Sequence, residues 1–503
     1  MLIIFYKPRR LMTAVMTMAV LFAGSGTHPP HVMAADRPGL LSAFSILAEN
    51  AEQSAVVYAR VILEGIDQSC PAFVTYPGGK PLRVRPRSNP DSTRFPITVC
   101  EARVPFGQAI SVVGFGVTIA AASRDPAKVL VYGDSGCDGG TYQDCSNHSA
   151  WPFALLSNQG IHDQPDLILH MGDYNYRGTP GQVRINGETQ LVYDAGDQDP
   201  NNPNCGLEKP YCSMNARGSD APDQWTNWWL DFFAPAANLL PRAPWIFARG
   251  NHELCSRAGP GWFYLLDTGS NLPGAAYRQR KCLHQNNPTP PNDSELKQLS
   301  MVSPYVVDLG LLRIAVIDSA NACDNYSPQK TTNEYSKQFS SLRNRLSGAA
   351  ASWVITHRPI WGVTSGGGSI NQTLQTALAA STAGRLPDSV KLALAGHMHR
   401  YESLTFAEGV HRPPQIVIGN SGVALADNKP GPCIGETRVD NAPACGAIEA
   451  SFGYLKLSPG NGGDWRAWEG VVAGVDRASS IASCDSSSNP VCSLATRRCE
   501  CQP

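Results

Sequence analysis

Charge is scarce in this chain: Asp, Glu, Lys and Arg make up 17% of its 503 residues, against an ordinary share of about 25%. What charge there is cancels, with 41 basic and 42 acidic side chains and a net charge of -1. That balance gives no electrostatic reason to expect nucleic acid or an anionic membrane as a partner. The chain also lacks tandem repeats and heptad runs, which excludes solenoids and coiled coils. Beyond its first 35 residues no apolar run reaches the roughly 20 residues that a membrane helix needs. It holds fifteen cysteines but no C-x-x-C pair, so a zinc ribbon is excluded. Present instead are a hydrophobic fraction of 42%, 46 glycines and 39 prolines. These describe a globular chain with a substantial core and many turns, long enough for more than one domain.

Residues 1–34 read as a targeting segment. Lys7, Arg9 and Arg10 form a positive start, Leu11 to Gly24 is apolar and uncharged, and Val32-Met33-Ala34 places small residues before Ala35. The apolar run suits a signal peptide and is short for a membrane anchor. Arg9-Arg10 is a partial twin-arginine signal. The expected product is a soluble protein, secreted or periplasmic, with no membrane association after signal removal. The cysteines agree, because an oxidising compartment favours disulfides. Candidate pairs are Cys137 with Cys145, Cys205 with Cys212, Cys433 with Cys445, Cys70 with Cys100, and Cys255 with Cys282. The count is odd, and Cys323 is the expected leftover thiol. N-x-S/T sequons stand at Asn147, Asn292, Asn325 and Asn371.

Four segments follow from the patterning. After the signal, residues 35–127 form an all-β accessory domain. Val56 to Leu63, Phe95 to Val104 and Ile110 to Ala121 are its strand candidates, with turn chemistry at Pro77-Gly78-Gly79. Residues 128–476 form the catalytic domain, and 477–503 a cysteine-rich tail holding Cys484, Cys492, Cys499 and Cys501. In the catalytic segment, short apolar runs end repeatedly in polar clusters. Val129 to Tyr132 runs into Gly133-Asp134, and Leu167 to Leu169 into Gly172-Asp173. Trp245 to Phe247 runs into Gly250-Asn251-His252-Glu253, Trp353 to Ile355 into His357, and Leu392 to Leu394 into Gly396-His397-Met398-His399. Continuous apolar runs of this length suit strands buried on both faces. Helical stretches at Gln224 to Phe233 and Asn333 to Leu346 lie between them. Phe452 to Leu457 and Asp464 to Val475 read as closing strands. The fold class is therefore α/β, with polar residues gathered where strands end.

Those strand ends carry carboxylates, an amide, imidazoles and a phenol, donors suited to two hard-to-borderline metal ions. Asp173 has two oxygens with which to bridge a pair. Two ions a few ångströms apart suit in-line displacement at phosphorus, and their charge neutralises the phosphoryl oxygens. No serine or cysteine stands in these clusters as a nucleophile.

At these residues the chain resembles the calcineurin-like metallophosphoesterases, and within them the purple acid phosphatases. The blocks are Asp134-Ser135-Gly136, Gly172-Asp173-Tyr174-Asn175-Tyr176, Gly250-Asn251-His252-Glu253, Val354-Ile355-Thr356-His357 and Gly396-His397-Met398-His399. They occur in the family's order, across Lys128 to about Gly422. Most relatives have histidine where Gly136 stands, and Tyr176 stands where the purple acid phosphatases place a metal-bound tyrosine. The resemblance implies a β-sandwich flanked by helices. It implies one metal site of Asp134, Asp173, Tyr176 and His399, typically Fe(III). A second site of Asp173, Asn251, His357 and His397 would hold Zn(II), Fe(II) or Mn(II). His252 would face the substrate phosphate as a catalytic residue. Plant members carry further histidines soon after the isolated metal histidine; here Arg358-Pro359-Ile360-Trp361 follows, which leaves the leaving-group acid open between His252 and water. Arg358 is either a phosphate contact or a structural arginine.

The expected function is hydrolysis of phosphate monoesters by metal-bound hydroxide. A phosphodiesterase of the same superfamily is the first alternative, and an inactive exported binding protein on this fold the second. Asp318 and the histidines at 148, 162, 284 and 411 sit in no motif and read as ordinary side chains. The tryptophans at 225, 228 and 229 read as core. Glu253 and Glu402 are expected to support loop backbone or ligating histidines. Substrate identity and oligomeric state are not legible in the sequence.

Overall fold

The computed structural model describes residues 39–138, 143–176, 183–185, 188–190, 223–254, 258–268, 301–324, 327–363, 370–407, 409–426, 437–439, 442–460, 462–475, 480–485, 491–494 and 497–500. The expected signal segment lies outside them. So do Cys205, Cys212, Cys255, Cys282 and Cys433, and with them three of the five expected disulfides.

Two sheets carry the fold. The first runs, in spatial order, from the strand Gly453–Gly460 through Val129–Tyr132, Leu167–His170 and Pro244–Phe247 to Leu40–Glu49, Ala55–Glu64 and Ile97–Val104. Its three central strands are parallel. The second contains the parallel run Leu312–Val316, Ala351–Ile355, Val390–Ala395 and Gln415–Ile418. The antiparallel strand Tyr401–Phe406 follows beside the last of these. Parallel strands need both faces covered, and alternation along a strand meets that need. Trp353 and Ile355 point into the large core shared with the first sheet. Val354, between them, joins the cluster made with the helices Gln329–Leu346 and Gln372–Thr382. Trp353 meets Trp465 edge to face at 4.8 Å between ring centroids, so the two sheets are locked by aromatic packing. The tryptophan-rich stretch forms a helical turn Trp225–Trp228 that continues as a π turn Trp229–Phe233. Trp225 and Trp228 are core residues, as the pattern predicted, whereas Trp229 is only partly buried against the same core.

The N-terminal all-β region is built onto the first sheet. Leu40–Glu49 pairs antiparallel with Ala55–Glu64 and parallel with Pro244–Phe247. The sequence reading missed this strand, because a mostly apolar run without strict alternation does not distinguish strand from buried helix. Two buried arginines complete the join. Arg60 Nη1 donates to the Leu265 carbonyl at 2.7 Å and Arg87 Nε to that of Tyr264 at 2.8 Å. Both guanidinium groups also meet Glu101. They therefore satisfy the open carbonyls at the end of the helix Gly259–Leu265 and place positive charge at its negative pole.

Among the described residues, Cys70–Cys100 and Cys137–Cys145 form the expected disulfides. Cys323 corrects the cysteine arithmetic: it is disulfide-bonded and not the free thiol. An odd count requires a leftover but says nothing of which residue it is. The sequon at Asn371 is also structural, since this side chain is fully buried and caps the helix Gln372–Thr382. Three strands in 480–500 extend the first sheet at its edge. No helix among the described residues is long and apolar enough to cross a membrane.

Candidate metal centre

Every strand expected to deliver a polar residue does so at its carboxyl end. Asp134 follows Val129–Tyr132, Asp173 follows Leu167–His170, and Asn251 follows Pro244–Phe247. From the second sheet, His357 follows Ala351–Ile355, and His397 and His399 follow Val390–Ala395. The chain turns sharply at these points. Asp134, Asp173, His397 and His399 all have φ between 49° and 75°, a region costly for side chains with a Cβ and met mainly where a site requires it.

The side chains converge in two overlapping groups. Asp134, Asp173 and His399 bring one ligand atom each within 4.8 Å of one another, and so do Asp173, His357 and His397. Asp173 belongs to both. Tyr176 joins the first group: its hydroxyl lies 2.9 Å from Asp173 Oδ2, 3.2 Å from Asp134 Oδ1 and 3.0 Å from His399 Nε2. Asn251 joins the second, with its Oδ1 2.9 Å from His357 Nε2. His357 Nε2 is also 3.2 Å from Asp173 Oδ2. All seven residues singled out as ligands thus meet in one place. The His252 ring lies against that of Tyr176, tilted by 37° with ring centroids 3.9 Å apart, and its backbone N–H donates to Asp173 Oδ1.

Two glycines make this density possible. A Cβ on Gly136 would stand 2.6 Å from the Tyr174 carbonyl oxygen and 2.7 Å from Cδ2 of Tyr176. The ring of Tyr176 therefore occupies the space that a side chain at position 136 would need. On Gly250 a Cβ would fall 2.0 Å from Asp173 Oδ1.

The surrounding polar groups hold the loops. Glu253 accepts from the backbone N–H of Gly250, Asp173, Tyr174 and Asn175 at 2.8–3.3 Å. His357 Nδ1 meets the Met171 carbonyl at 2.8 Å, which directs Nε2 toward the centre. Asp318 has the ordinary role expected of it, paired with buried Arg249 at 2.9 Å. Glu402 accepts from Val363 N and pairs with Arg400. Arg358 is buried, and its Nη1 is 2.7 Å from Asp324. Sequence reasoning did not single out Asp324, which lies in no motif. Its partners His397 and Arg358 were visible only as separate blocks.

The electrostatics describe a site short of positive charge. Burial pushes Asp134 well above the usual carboxylate range, and neighbouring Asp173 adds to the rise. Burial likewise raises the Tyr176 phenol, helped by the charges of Asp173 and Asp134. Burial lifts Glu253 to about 8, with Asp173 contributing. Against the cost of burial, His357 and His252 hold Asp173 well below its usual range. His357 rises to about 9 because Asp173 outweighs its own burial, whereas burial lowers His399 to about 4. Carboxylate, phenol, amide and imidazole donors packed this closely and this deep are stabilised together by cations. The donor set fits two ions that share Asp173.

This arrangement defines a metal-dependent phosphoesterase domain. The chain matches the family model of the calcineurin-like phosphoesterases over residues 127–401, more than half of its length, and it belongs to that family. No curated protein and no solved structure matches the chain.

Proposed function

We propose that the protein is an exported acid phosphatase of the purple type, hydrolysing phosphate monoesters with an Fe(III) ion and a Zn(II), Fe(II) or Mn(II) ion. The observation that carries this reading is the Tyr176 hydroxyl, set within hydrogen-bonding distance of Asp134, Asp173 and His399. A phenolate oxygen is a hard, anionic donor that favours a trivalent ion. The proposed sites are Asp134, Asp173, Tyr176 and His399 for the first ion, and Asp173, Asn251, His357 and His397 for the second. Export is supported by the N-terminal sequence and by disulfides in the fold.

When bound, the pair of ions would activate a water molecule and neutralise the phosphoryl oxygens. The chain's own residues then have defined tasks. Asp173, common to both ligand groups, would be shared by the two ions. Glu253, bonded to the consecutive amides of Asp173, Tyr174 and Asn175 and to that of Gly250 in the neighbouring loop, holds that carboxylate in place. His252, whose ring lies tilted against that of Tyr176, would face the substrate phosphate and is one of two candidate donors of the proton taken up by the leaving oxygen, water being the other. Hydrolysis would join a water oxygen to phosphorus as the ester P–O bond breaks; of the water's two protons one stays on the new phosphate and the other balances the proton that the freed alcohol carries away.

The test is a metal analysis of purified full-length protein with a substrate panel. About two ions per chain are expected, one of them iron, together with turnover of p-nitrophenyl phosphate in preference to bis(p-nitrophenyl) phosphate. Preference for the diester moves the activity to phosphodiester hydrolysis. Two bound ions without turnover of either substrate support a binding protein on this fold.

A further inference from the structure

We propose that Asp324 is a positioning residue for the metal centre. Its carboxylate fixes His397 so that Nδ1, not Nε2, is the nitrogen offered to the second ion. The inference rests on the two-ion reading above and assigns a role within it.

The evidence is a three-membered contact. Asp324 Oδ2 lies 2.9 Å from His397 Nε2 and 2.7 Å from Arg358 Nη1. Nη1 and Nε2 are themselves 3.0 Å apart. Arginine only donates, and an ionised carboxylate only accepts. The arrangement that satisfies all three groups has Asp324 accepting from both nitrogens, so that Nε2 carries the hydrogen. The lone pair of His397 then lies on Nδ1. The opposite arrangement, with Arg358 donating to Nε2, would place the hydrogen on Nδ1. It would also set Nε2, a bare acceptor, against the carboxylate.

Asp324 is itself held firmly. Its Oδ1 accepts from Asn371 Nδ2 at 2.9 Å, and its carbonyl accepts from Gln372 N at 2.7 Å. Asn371 Oδ1 in turn caps the helix Gln372–Thr382 at Leu374 N. The preceding residue, Cys323, is disulfide-bonded and donates its N–H to Thr373 Oγ1 at 3.0 Å. The carboxylate is thus fixed to the start of a packed helix. Asp324 is not one of the residues converging with Asp173 and His357, so it acts through His397. His357 shows the mirror arrangement: its Nδ1 is held by the Met171 carbonyl, leaving Nε2 toward Asn251 and Asp173. Hydrogen bonds to the non-ligating nitrogen of a metal histidine set its tautomer and orientation, and their loss typically weakens binding about 10–100-fold.

The experiment titrates Zn(II) alone into chelator-stripped full-length protein by calorimetry and counts bound ions by mass spectrometry. Wild type should take two ions. Asp324→Ala should keep one ion and bind the other about 10–100-fold more weakly. Asp324→Asn, whose amide oxygen can still accept from Nε2, should recover most of that loss. If Asp324→Ala does not fold, the double variant Asp324→Leu/Arg358→Leu replaces the buried ion pair with apolar groups and should show the same selective loss. Arg358→Leu alone should keep both ions at wild-type affinity, because the Asp324–His397 bond remains. Two ions bound with wild-type affinity by Asp324→Ala or the double variant would overturn the role assigned to Asp324. A wild-type protein that takes fewer than two ions would instead overturn the two-ion reading itself.

Discussion

Gly136→Ala is a severe substitution for its size. The added methyl would lie 2.6 Å from the Tyr174 carbonyl oxygen, 3.0 Å from the Tyr174 carbonyl carbon and 2.7 Å from Tyr176 Cδ2. Ordinary contacts between heavy atoms begin near 3.5 Å, so the loop or the ring must retreat by about 1 Å. The carbonyl belongs to backbone pinned by Glu253 through Tyr174 N at 2.8 Å, so the ring of Tyr176 is the part that yields. Its hydroxyl then leaves the position between Asp134 and Asp173, and the loop that carries position 136 must itself shift to clear the Tyr174 carbonyl. Overpacking of this kind costs about 1–3 kcal/mol of stability. A displacement of about 1 Å in a catalytic constellation costs roughly 10²-fold in rate. The assay compares kcat/KM for an aryl phosphate and the bound-ion count in wild type and Gly136→Ala, with circular dichroism as a check on folding. A folded variant with unchanged metal content and unchanged kcat/KM would refute the argument that Gly136 makes room for Tyr176.

Under the iron reading, Tyr176→Phe removes one oxygen and should bleach the violet charge-transfer colour while the fold persists. Its activity should fall less than that of Asp173→Asn, which disturbs both sites; an oxidised, iron-loaded and active wild type without colour would count against a tyrosinate ligand. Glu101→Ala strips the counter-charge from buried Arg60 and Arg87 and should destabilise the join between the N-terminal region and the helix Gly259–Leu265 by about 3–5 kcal/mol, read from urea unfolding; an unchanged midpoint would show the two arginines satisfied by carbonyls alone. Opening the Cys70–Cys100 link, which spans 30 residues, with the double variant Cys70→Ala/Cys100→Ala should cost about 3–4 kcal/mol, and equal thermal stability would contradict this. Buried Asp223 has its carboxyl pushed up to about 7 by desolvation, partly offset by hydrogen bonds from Trp228 and Gly261. Its contribution to stability is full below the unfolded value near 3.8 and is lost as pH rises through 7, a span of about 4 kcal/mol. Asp223→Asn, which cannot ionise, should remove that slope from the pH dependence of unfolding, and an unaltered slope would refute the assignment.

Much of the centre was legible because its ligands are tied to strand ends. A short apolar run followed by glycine and a polar residue has few structural solutions, so Asp134, Asp173, Asn251, His357, His397 and His399 could be assigned to the carboxyl ends of strands from spacing and order. The class of fold follows from the same rhythm, and core assignments such as Trp228 follow from helical spacing. Two of the candidate cysteine pairs, Cys70 with Cys100 and Cys137 with Cys145, are disulfides in the structure, although sequence alone does not fix connectivity. The tertiary structure decided what depends on neighbours distant in sequence. Leu40–Glu49 pairs with its neighbour Ala55–Glu64 and also joins the catalytic sheet through Pro244–Phe247, a partner about 200 residues away that no local pattern encodes. Cys323 is paired, although the sequence reading took it as the leftover thiol. The sequence marked Tyr176 as unusual, but only packing shows that its ring fills the space above Gly136. Asp324 was invisible because its significance lies in contacts with His397 and Arg358, 73 and 34 residues further along the chain. Residue types and their order fix which donors reach the sheet edge, whereas hydrogen-bond direction and steric contact, set only by the folded chain, decide how each donor is aimed.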